Sequence, residues 1–174
     1  MKNLVAQAKK IKLVIFDVDG VLTNGVLVYN KDGHELKEFH VHDGQGIKLL
    51  LQARIEVAII TTCRSTIVAK RMHDLGIQHV YQNQTDKLMA YEDLKKKLNL
   101  TDEQILYVGD DFPDLPVMAR VGLSITVANA PAIMQKHAMA TTIAKGGKGA
   151  AREICDFVLE SQNLYQSLLK PYLS

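Results

Sequence analysis

The 174-residue chain contains no tryptophan, only two cysteines and only four prolines, and aromatic residues make up 6% of it. Cys63 and Cys155 lie far apart, too few for a disulfide framework or a cysteine metal site, which is typical of a reducing compartment. No apolar run approaches the roughly 20 residues of a membrane span, and the amphipathic start lacks the apolar segment of a signal peptide. The sequence therefore predicts a cytoplasmic protein with no membrane partner.

The chain also lacks an excess of either charge. Its 21 Lys and Arg residues against 19 Asp and Glu residues leave a formal net charge of +2. Because the basic residues are scattered rather than gathered into a patch, nucleic acid is not an expected partner. A hydrophobic fraction of 47% suits one globular domain with an adequate core, so we expect residues 1–174 to form a single domain.

Short apolar runs rich in β-branched residues alternate with segments whose apolar residues recur at helical spacing. This alternation predicts the α/β class with a doubly wound, Rossmann-like parallel sheet. The predicted strands are residues 13–16, 57–60, 79–81, 105–108 and 123–127. The predicted helices lie around residues 47–53, 65–75, 87–98, 115–119 and 152–161.

One segment departs from the alternation. Two strand-like runs flank Asn30-Lys31-Asp32-Gly33, a strong hairpin-turn pattern, which predicts a β-hairpin flap over about residues 24–42. The glycine-rich stretch 144–150 predicts a flexible loop at the start of a C-terminal tail, about residues 144–174.

Two carboxylates, Asp17 and Asp19, stand where the first predicted strand ends in a turn at Gly20. The carboxyl ends of parallel strands are where α/β sheets build their sites. Asp17 is therefore placed to act as a nucleophile or metal ligand, and Asp19 to donate and accept a proton at the same centre. An Asp-Gly pair also commonly ends a strand and starts a turn, so this pair alone does not decide between the two interpretations.

Other predicted strand and helix ends carry complementary groups. Thr61 follows the second predicted strand of the sheet, Lys87 begins a helix, and Asp110 follows the fourth predicted strand. Phosphoryl transfer needs a hydroxyl and an ammonium group on the phosphoryl oxygens and a hard cation such as Mg²⁺ held by acidic residues. The Asp17 and Asp19 pair followed in order by Thr61, Lys87 and Asp110 supplies all these groups, so the sequence predicts Mg²⁺-dependent phosphoryl transfer.

The ordered motifs resemble those of the haloacid dehalogenase superfamily of aspartate-nucleophile phosphatases. The resemblance extends over about residues 11–161 to the capless branch that hydrolyses 3-deoxy-D-manno-octulosonate 8-phosphate, a sugar acid phosphate of lipopolysaccharide synthesis. The motifs that carry it are 17–23, Thr61, Lys87, 109–114, 43–48, 115–118 and 146–153. The resemblance implies a phosphatase for this small-molecule sugar phosphate.

It also implies a role for each motif residue. Asp17 would form an aspartyl-phosphate, and Asp19 would protonate the leaving hydroxyl and then activate water. Mg²⁺ would be held by the Asp17 carboxylate, the Asp19 carbonyl and Asp110. The remaining implied roles are phosphoryl binding by Thr61 and Lys87, orientation of the site by Asp111 and Asp114, and substrate binding by Lys148 of the tail. The superfamily branch further implies a homotetramer in which one subunit's flap helps to build a neighbour's site. It also implies a glycine-rich tail that closes over the substrate, in place of a separate cap domain.

The chain departs from the family pattern at two places. Thr62 and Cys63 stand where the family usually has Gly-Arg, and His42 stands where it commonly has Arg. Because the Thr61 hydroxyl is retained, these changes concern substrate affinity more than catalysis. His40 and His42 would share a face of an extended strand, where we expect an interfacial or substrate-facing pair rather than a zinc site.

Three other functions are considered beside this one. The first is a phosphatase for a related ester such as a nonulosonate 9-phosphate. The second is a phospho-acceptor signalling module, although there the double acid comes first and no carboxylate follows two residues after the nucleophile. The third is a non-catalytic homologue, suggested by Thr62 and Cys63.

Overall fold

The computed structural model describes residues 1–173, apart from the side chain of Lys2; Ser174, the last residue of the predicted tail, lies outside the described residues. The strands are β1 (Leu13–Phe16), β2 (Val28–Tyr29), β3 (Glu35–Leu36), β4 (Glu56–Ile60), β5 (His79–Tyr81), β6 (Ile105–Val108), β7 (Leu123–Thr126) and β8 (Ala140–Thr141). The α-helices are α1 (Val5–Ala8), α2 (Val41–Gln52), α3 (Thr66–Leu75), α4 (Lys87–Lys97), α5 (Leu115–Met118), α6 (Ala132–His137), α7 (Ala150–Ser161) and α8 (Tyr165–Leu169). Short 3-10 turns cover Lys2–Leu4, Asp102–Gln104, Phe112–Asp114 and Lys170–Tyr172.

Six strands form one parallel sheet in the order β5-β4-β1-β6-β7-β8, and β2 pairs with β3 in a separate antiparallel hairpin. With the hairpin set aside, this is the 3-2-1-4-5-6 order of the doubly wound fold. The direction of winding reverses at β1, which lies between β4 and β6. The predicted fold class and its hairpin are therefore confirmed.

Helices cover both faces of the sheet. α2 packs against α7, and α4 packs against α5. From β1 the chain adds strands first towards one edge of the sheet and then towards the other. Because the crossovers are right-handed, the helices of these two halves lie on opposite faces of the sheet. Every residue of β1, β6 and β7 is buried, as expected for strands covered on both sides, and their apolar composition follows from that burial.

The structure corrects the sequence interpretation at the end of the flap. α2 begins at Val41, not near residue 47, so the predicted flap boundary at residue 42 overlaps this helix. The prediction missed this turn because glycine has low helix propensity. Gly44 and Gly46 let the neighbouring helices approach closely, because side chains of those helices occupy the space where a Cβ atom would be.

The interpretation of His40 and His42 as a pair on one strand is wrong. His40 is the N-cap residue of α2, and His42 lies in its first turn. Their rings meet edge to face with centroids 5.0 Å apart.

Elements α1, α6, α8 and β8 were not predicted. The predicted flexible loop before α7 is hydrogen-bonded to the rest of the domain: the Gly146 N–H donates to Asn129 Oδ1 at 2.8 Å and the Gly147 N–H donates to the Val21 carbonyl at 2.9 Å. α7 itself is largely buried. The part of the tail that lies against the turn after β1 is the loop 144–149. A closing movement of this tail stays a prediction.

No helix within the described residues is long and apolar enough to span a lipid bilayer.

Candidate active site

The candidate site lies at the carboxyl edge of the sheet, where the winding reverses. Asp17 directly follows β1, and its N–H donates to the Val108 carbonyl at the end of β6, at 2.9 Å. Asp110 follows β6, and Thr61 follows β4 on the other side of β1. The parallel register therefore brings three of the predicted residues to one edge of the sheet.

An acidic cluster occupies the centre of this edge. Carboxylate oxygens of Asp17, Asp110 and Asp114 lie within 4.8 Å of one another. Asp17 is 6% exposed and Asp114 is 1% exposed. Within residues 1–173, this is the one group of three or more side chains placed to hold a metal ion.

Lys87 joins two of these carboxylates. Its Nζ donates to Asp17 Oδ1 at 2.7 Å and to Asp114 Oδ1 at 2.6 Å, and its side chain is almost completely buried. It begins α4, which is capped by the Asp86 side chain accepting from the Leu88 N–H at 3.0 Å. Burial disfavours the charge on Lys87, but the two carboxylates outweigh this and raise its pKa, so it stays protonated.

Asp114 uses both of its oxygens in hydrogen bonds. Besides Lys87, Oδ1 accepts from the Tyr107 hydroxyl at 2.7 Å, and Oδ2 accepts from the N–H groups of Asp110 at 2.9 Å and Asp111 at 3.1 Å. Four hydrogen bonds occupy the lone pairs of a carboxylate, so Asp114 orients its neighbours rather than offering a free ligand. Asp111 is exposed, and its side chain accepts from the Phe112 N–H.

The cluster has more negative charge than Lys87 offsets. Burial and then the charge of Asp114 raise the pKa of Asp17 to about 7, although Lys87 pulls it down. Burial and then the charge of Asp17 raise the pKa of Asp110 to about 7. Both shifts show that the ionised cluster needs further positive charge.

These residues fit Mg²⁺. The ion prefers carboxylate and carbonyl oxygens, and Asp17 and Asp110 present such oxygens side by side. Asp110 reaches this position because Gly20, with φ of 96°, leaves room for it: a Cβ at residue 20 would overlap Asp110 Oδ2. The glycine of the first motif is therefore needed for both its backbone conformation and its missing side chain.

Asp19 is held by the flap. Its Oδ1 accepts from Lys37 Nζ at 2.7 Å and from Thr23 Oγ1 at 3.3 Å. Lys37 also pairs with Glu35 Oε1 at 2.9 Å, and its side chain is 3% exposed. The sequence analysis missed Lys37, because a hairpin pattern identifies the strands without showing where a long side chain reaches.

The phosphate-binding candidates are placed differently from one another. Thr61 is buried at the end of β4, and its Oγ1 accepts from the Cys63 N–H at 3.2 Å, which leaves the hydroxyl proton available to a ligand. Burial raises the pKa of the neighbouring Cys63 thiol, so it stays protonated. Lys148 is exposed on the glycine-rich loop, and among the described residues no hydrogen bond or ion pair joins its Nζ to the site. The loop itself lies against the turn after β1, since a Cβ at Gly146 would overlap the Gly20 carbonyl and one at Gly147 would overlap the Thr23 backbone.

Known proteins resemble the chain along most of its length. The family model of haloacid dehalogenase-like hydrolases matches residues 53–154. The 3-deoxy-D-manno-octulosonate 8-phosphate phosphatase of Yersinia pestis is 46% identical over 92% of this chain and 86% of its own length. The enzyme of the same name from Escherichia coli strain K12 is 47% identical over 92% of this chain and 85% of its own length.

Solved structures agree with these relatives. A crystal structure of 3-deoxy-D-manno-octulosonate 8-phosphate phosphatase from Moraxella catarrhalis, in complex with a magnesium ion, a phosphate ion and a KDO molecule, superposes with a TM-score of 0.95 at 40% identity. The match covers 99% of each chain. The Yersinia pestis structure gives a TM-score of 0.93 at 45% identity, covering 94% of this chain and 89% of the other.

Proposed function

Because the chain belongs to the haloacid dehalogenase-like hydrolase family, we propose that it is a Mg²⁺-dependent phosphatase that hydrolyses 3-deoxy-D-manno-octulosonate 8-phosphate to the free sugar acid and phosphate, for lipopolysaccharide synthesis. The similarity to phosphatases of this ester along nearly the whole chain supports the substrate. The buried ion pair of Asp17 with Lys87 beside Asp110 is the observation that carries the reaction. It supports the proposal, because an aspartate nucleophile needs a compensating positive charge beside it.

The reaction proceeds in two displacements at phosphorus. In the first, the Asp17 carboxylate bonds to phosphorus while the ester P–O bond breaks, and Asp19 gives its proton to the departing sugar oxygen. In the second, Asp19 takes a proton from water, the water oxygen bonds to phosphorus, and the bond to Asp17 breaks to release phosphate. The hydrogen bond from the Asp17 N–H to β6 supports this role, because it holds the residue at the strand end.

Thr61 and Lys87 bind the phosphoryl oxygens in this reaction. The Thr61 hydroxyl has its proton available, and the Lys87 ammonium already lies 2.7 Å from the nucleophile. As charge builds on the transferring group, a fixed donor and a fixed cation stabilise it without reorganising. Asp114 keeps Lys87 in place from the opposite side.

The metal would be held by the carboxylates of Asp17 and Asp110 and the backbone carbonyl of Asp19. When bound, Mg²⁺ supplies positive charge to the phosphoryl oxygens and to the acidic cluster. Asp114 supports this arrangement from outside, because its Oδ2 binds the backbone that positions Asp110.

The proposed assembly is a cytoplasmic homotetramer. An apolar surface on the flap supports it, since Val26, Leu27 and Tyr29 are 62%, 61% and 60% exposed. Large apolar side chains gathered on one hairpin are typical of a surface that another copy covers. In this assembly the flap tip completes a neighbour's site, and the loop 144–149 with Lys148 closes over the substrate.

The assembly is tested by light scattering after size-exclusion chromatography. We expect four chains per particle, and a smaller particle with lower turnover for Leu27→Glu. A monomer that turns over at the full rate at every protein concentration would contradict the assembly.

The reaction is tested by phosphate release from the octulosonate 8-phosphate and a nonulosonate 9-phosphate, with Mg²⁺ or with EDTA. We expect metal-dependent turnover that favours the octulosonate ester, none with Asp17→Asn, and normal turnover with Asp74→Asn, a control at an exposed aspartate of α3. Equal turnover of both esters would remove the substrate assignment and keep the chemistry. Release from neither ester would remove both.

A further inference from the structure

Lys37 connects the flap of this chain to Asp19 of the same chain. It follows β3, yet its ammonium lies 2.7 Å from Asp19 Oδ1 and 2.9 Å from Glu35 Oε1. A lysine side chain that is free in water loses conformational entropy about several rotatable bonds when it is held in one position. Here the side chain is 3% exposed and ends between two carboxylates, so its position is determined.

The hydrogen bonds to Asp19 are one-sided. Lys37 and Thr23 both donate to Oδ1, and within the described part of the chain no hydrogen bond ends on Oδ2. Thr23 Oγ1 in turn accepts from the N–H groups of Gly20 and Gly25, each at 3.3 Å, which ties it to the turn. One oxygen of the carboxylate is therefore anchored, and the other is available for proton exchange.

We propose that Lys37 is a positioning residue for Asp19. By holding Oδ1, it keeps Oδ2 directed at the leaving oxygen of the substrate. The inference rests on the proposed function, because it takes Asp19 as the group that protonates the leaving sugar oxygen. It also gives the base of the flap a role within its own subunit, besides the proposed role of its tip in a neighbour's site.

Leaving groups that differ in basicity separate this role from a merely structural one. A sugar alkoxide must receive a proton as the ester bond breaks, whereas p-nitrophenolate leaves without one. The kcat/KM value depends on all steps from substrate binding to the departure of the leaving group, and not on the later hydrolysis of the aspartyl-phosphate. A lysine that acts through Asp19 therefore affects the sugar ester much more than the aryl ester.

The experiment compares Lys37→Met, Lys37→Arg and the wild type in kcat and KM for the octulosonate 8-phosphate and p-nitrophenyl phosphate; acetyl phosphate replaces the aryl ester if that does not fit the site. We expect Lys37→Met to lower kcat/KM for the sugar ester by about 10- to 100-fold, mainly through kcat, and for the activated ester by less than about threefold. Lys37→Arg restores most of the loss, because it keeps the charge and the donor. Lys70→Met is the control at a lysine of α3 whose side chain is 76% exposed, and it leaves both values unchanged.

An equal loss for both esters, or no loss for the sugar ester, would overturn the positioning role. Circular dichroism and thermal melting establish that each variant is folded, and Lys37→Gln replaces Lys37→Met if the latter is not. If the wild type releases phosphate but Lys37→Met shows an equal loss for both esters, or no loss for the sugar ester, only the positioning role is contradicted. A wild type that hydrolyses neither ester removes the proposed function and the positioning role with it.

Discussion

Asp43 of α2 caps α7, a helix that begins more than a hundred residues later. Its Oδ1 accepts from the Arg152 N–H at 2.8 Å, and its Oδ2 accepts from the Gly149 N–H at 3.3 Å. The first N–H groups of a helix have no partner within the helix, and a carboxylate there also meets the positive end of the helix dipole. Asp43 thereby ties the end of the glycine-rich loop to α2, which follows the flap.

Asp43→Ala should lower the free energy of unfolding by about 1–2 kcal/mol, because it leaves two helix N–H groups without their acceptor. Urea denaturation measures this loss, with Asp32→Ala at an exposed position of the flap turn as the control. A loss no larger than that of the control would mean that the cap does not stabilise α7.

Lys87→Met should abolish most activity and destabilise the fold. It leaves the buried carboxylates of Asp17 and Asp114 without their cation, for which breaking a buried pair typically costs about 3–5 kcal/mol, and kcat should fall by about 100- to 1000-fold. Lys70→Met is the control, since Lys70 pairs with Asp74 at 2.8 Å but its side chain is 76% exposed, and its effect should stay within about 0.5 kcal/mol. Similar losses in the two variants, measured by urea denaturation and phosphate release, would contradict the role of Lys87.

Gly20→Ala should weaken Mg²⁺ binding and turnover, because the new Cβ would displace Asp110. Gly76→Ala is a matched control away from the flap: its φ is also positive, at 83°, and the nearest atom to the new Cβ is Leu51 Cδ1 at 4.0 Å. We expect the Mg²⁺ concentration for half-maximal activity to rise by about tenfold or more for Gly20→Ala, as for the loss of a group that orients a ligand. If both variants respond alike, backbone strain rather than the position of Asp110 explains the loss.

Stability of the metal-free protein should fall as the pH rises from about 4 to about 7. The pKa values of Asp17 and Asp110 are raised to about 7 in the folded state, from ordinary values near 4. Between these values the folded state binds more protons than the unfolded chain, so raising the pH favours unfolding.

Thermal melting in EDTA measures this slope, and it should be shallower for Asp110→Asn, which removes one of the two groups. Mg²⁺ binds the ionised carboxylates, so it should raise the melting temperature more at pH 8 than at pH 5. A melting temperature in EDTA that rises over this pH range, equally in both proteins, would show that the cluster does not control stability.

The strands of the sheet were predictable because their signal is local. A buried parallel strand needs apolar residues on both faces, and runs such as Leu13–Phe16 and Ile105–Val108 show this directly in the sequence. The start of α2 was not predictable in the same way. Gly44 and Gly46 weaken its helical pattern, and only the packing of α3 and α7 against them explains why they are there.

The candidate site was predictable as far as strand ends determine it. Asp17 and Asp110 follow neighbouring parallel strands, so their proximity follows from the topology. The hydrogen bonds of Asp114 could not be predicted in this way. They depend on how the Lys87 and Tyr107 side chains are packed in the interior, where both donate to Asp114 Oδ1. Lys148 had the expected residue type and position in the sequence, but its side chain is exposed and makes no hydrogen bond or ion pair within the described residues, so its role stays a prediction.

The sequence by itself determined the class of fold and the inventory of chemical groups at the edge of the sheet, because strand periodicity and motif order are properties of short segments. The tertiary structure decided how those groups are held: Lys37 on Asp19, Asp43 on Arg152, and Lys87 between two buried carboxylates. Each of these contacts joins segments that are distant along the chain. Their geometry depends on packing and desolvation of the whole domain, which no local pattern encodes.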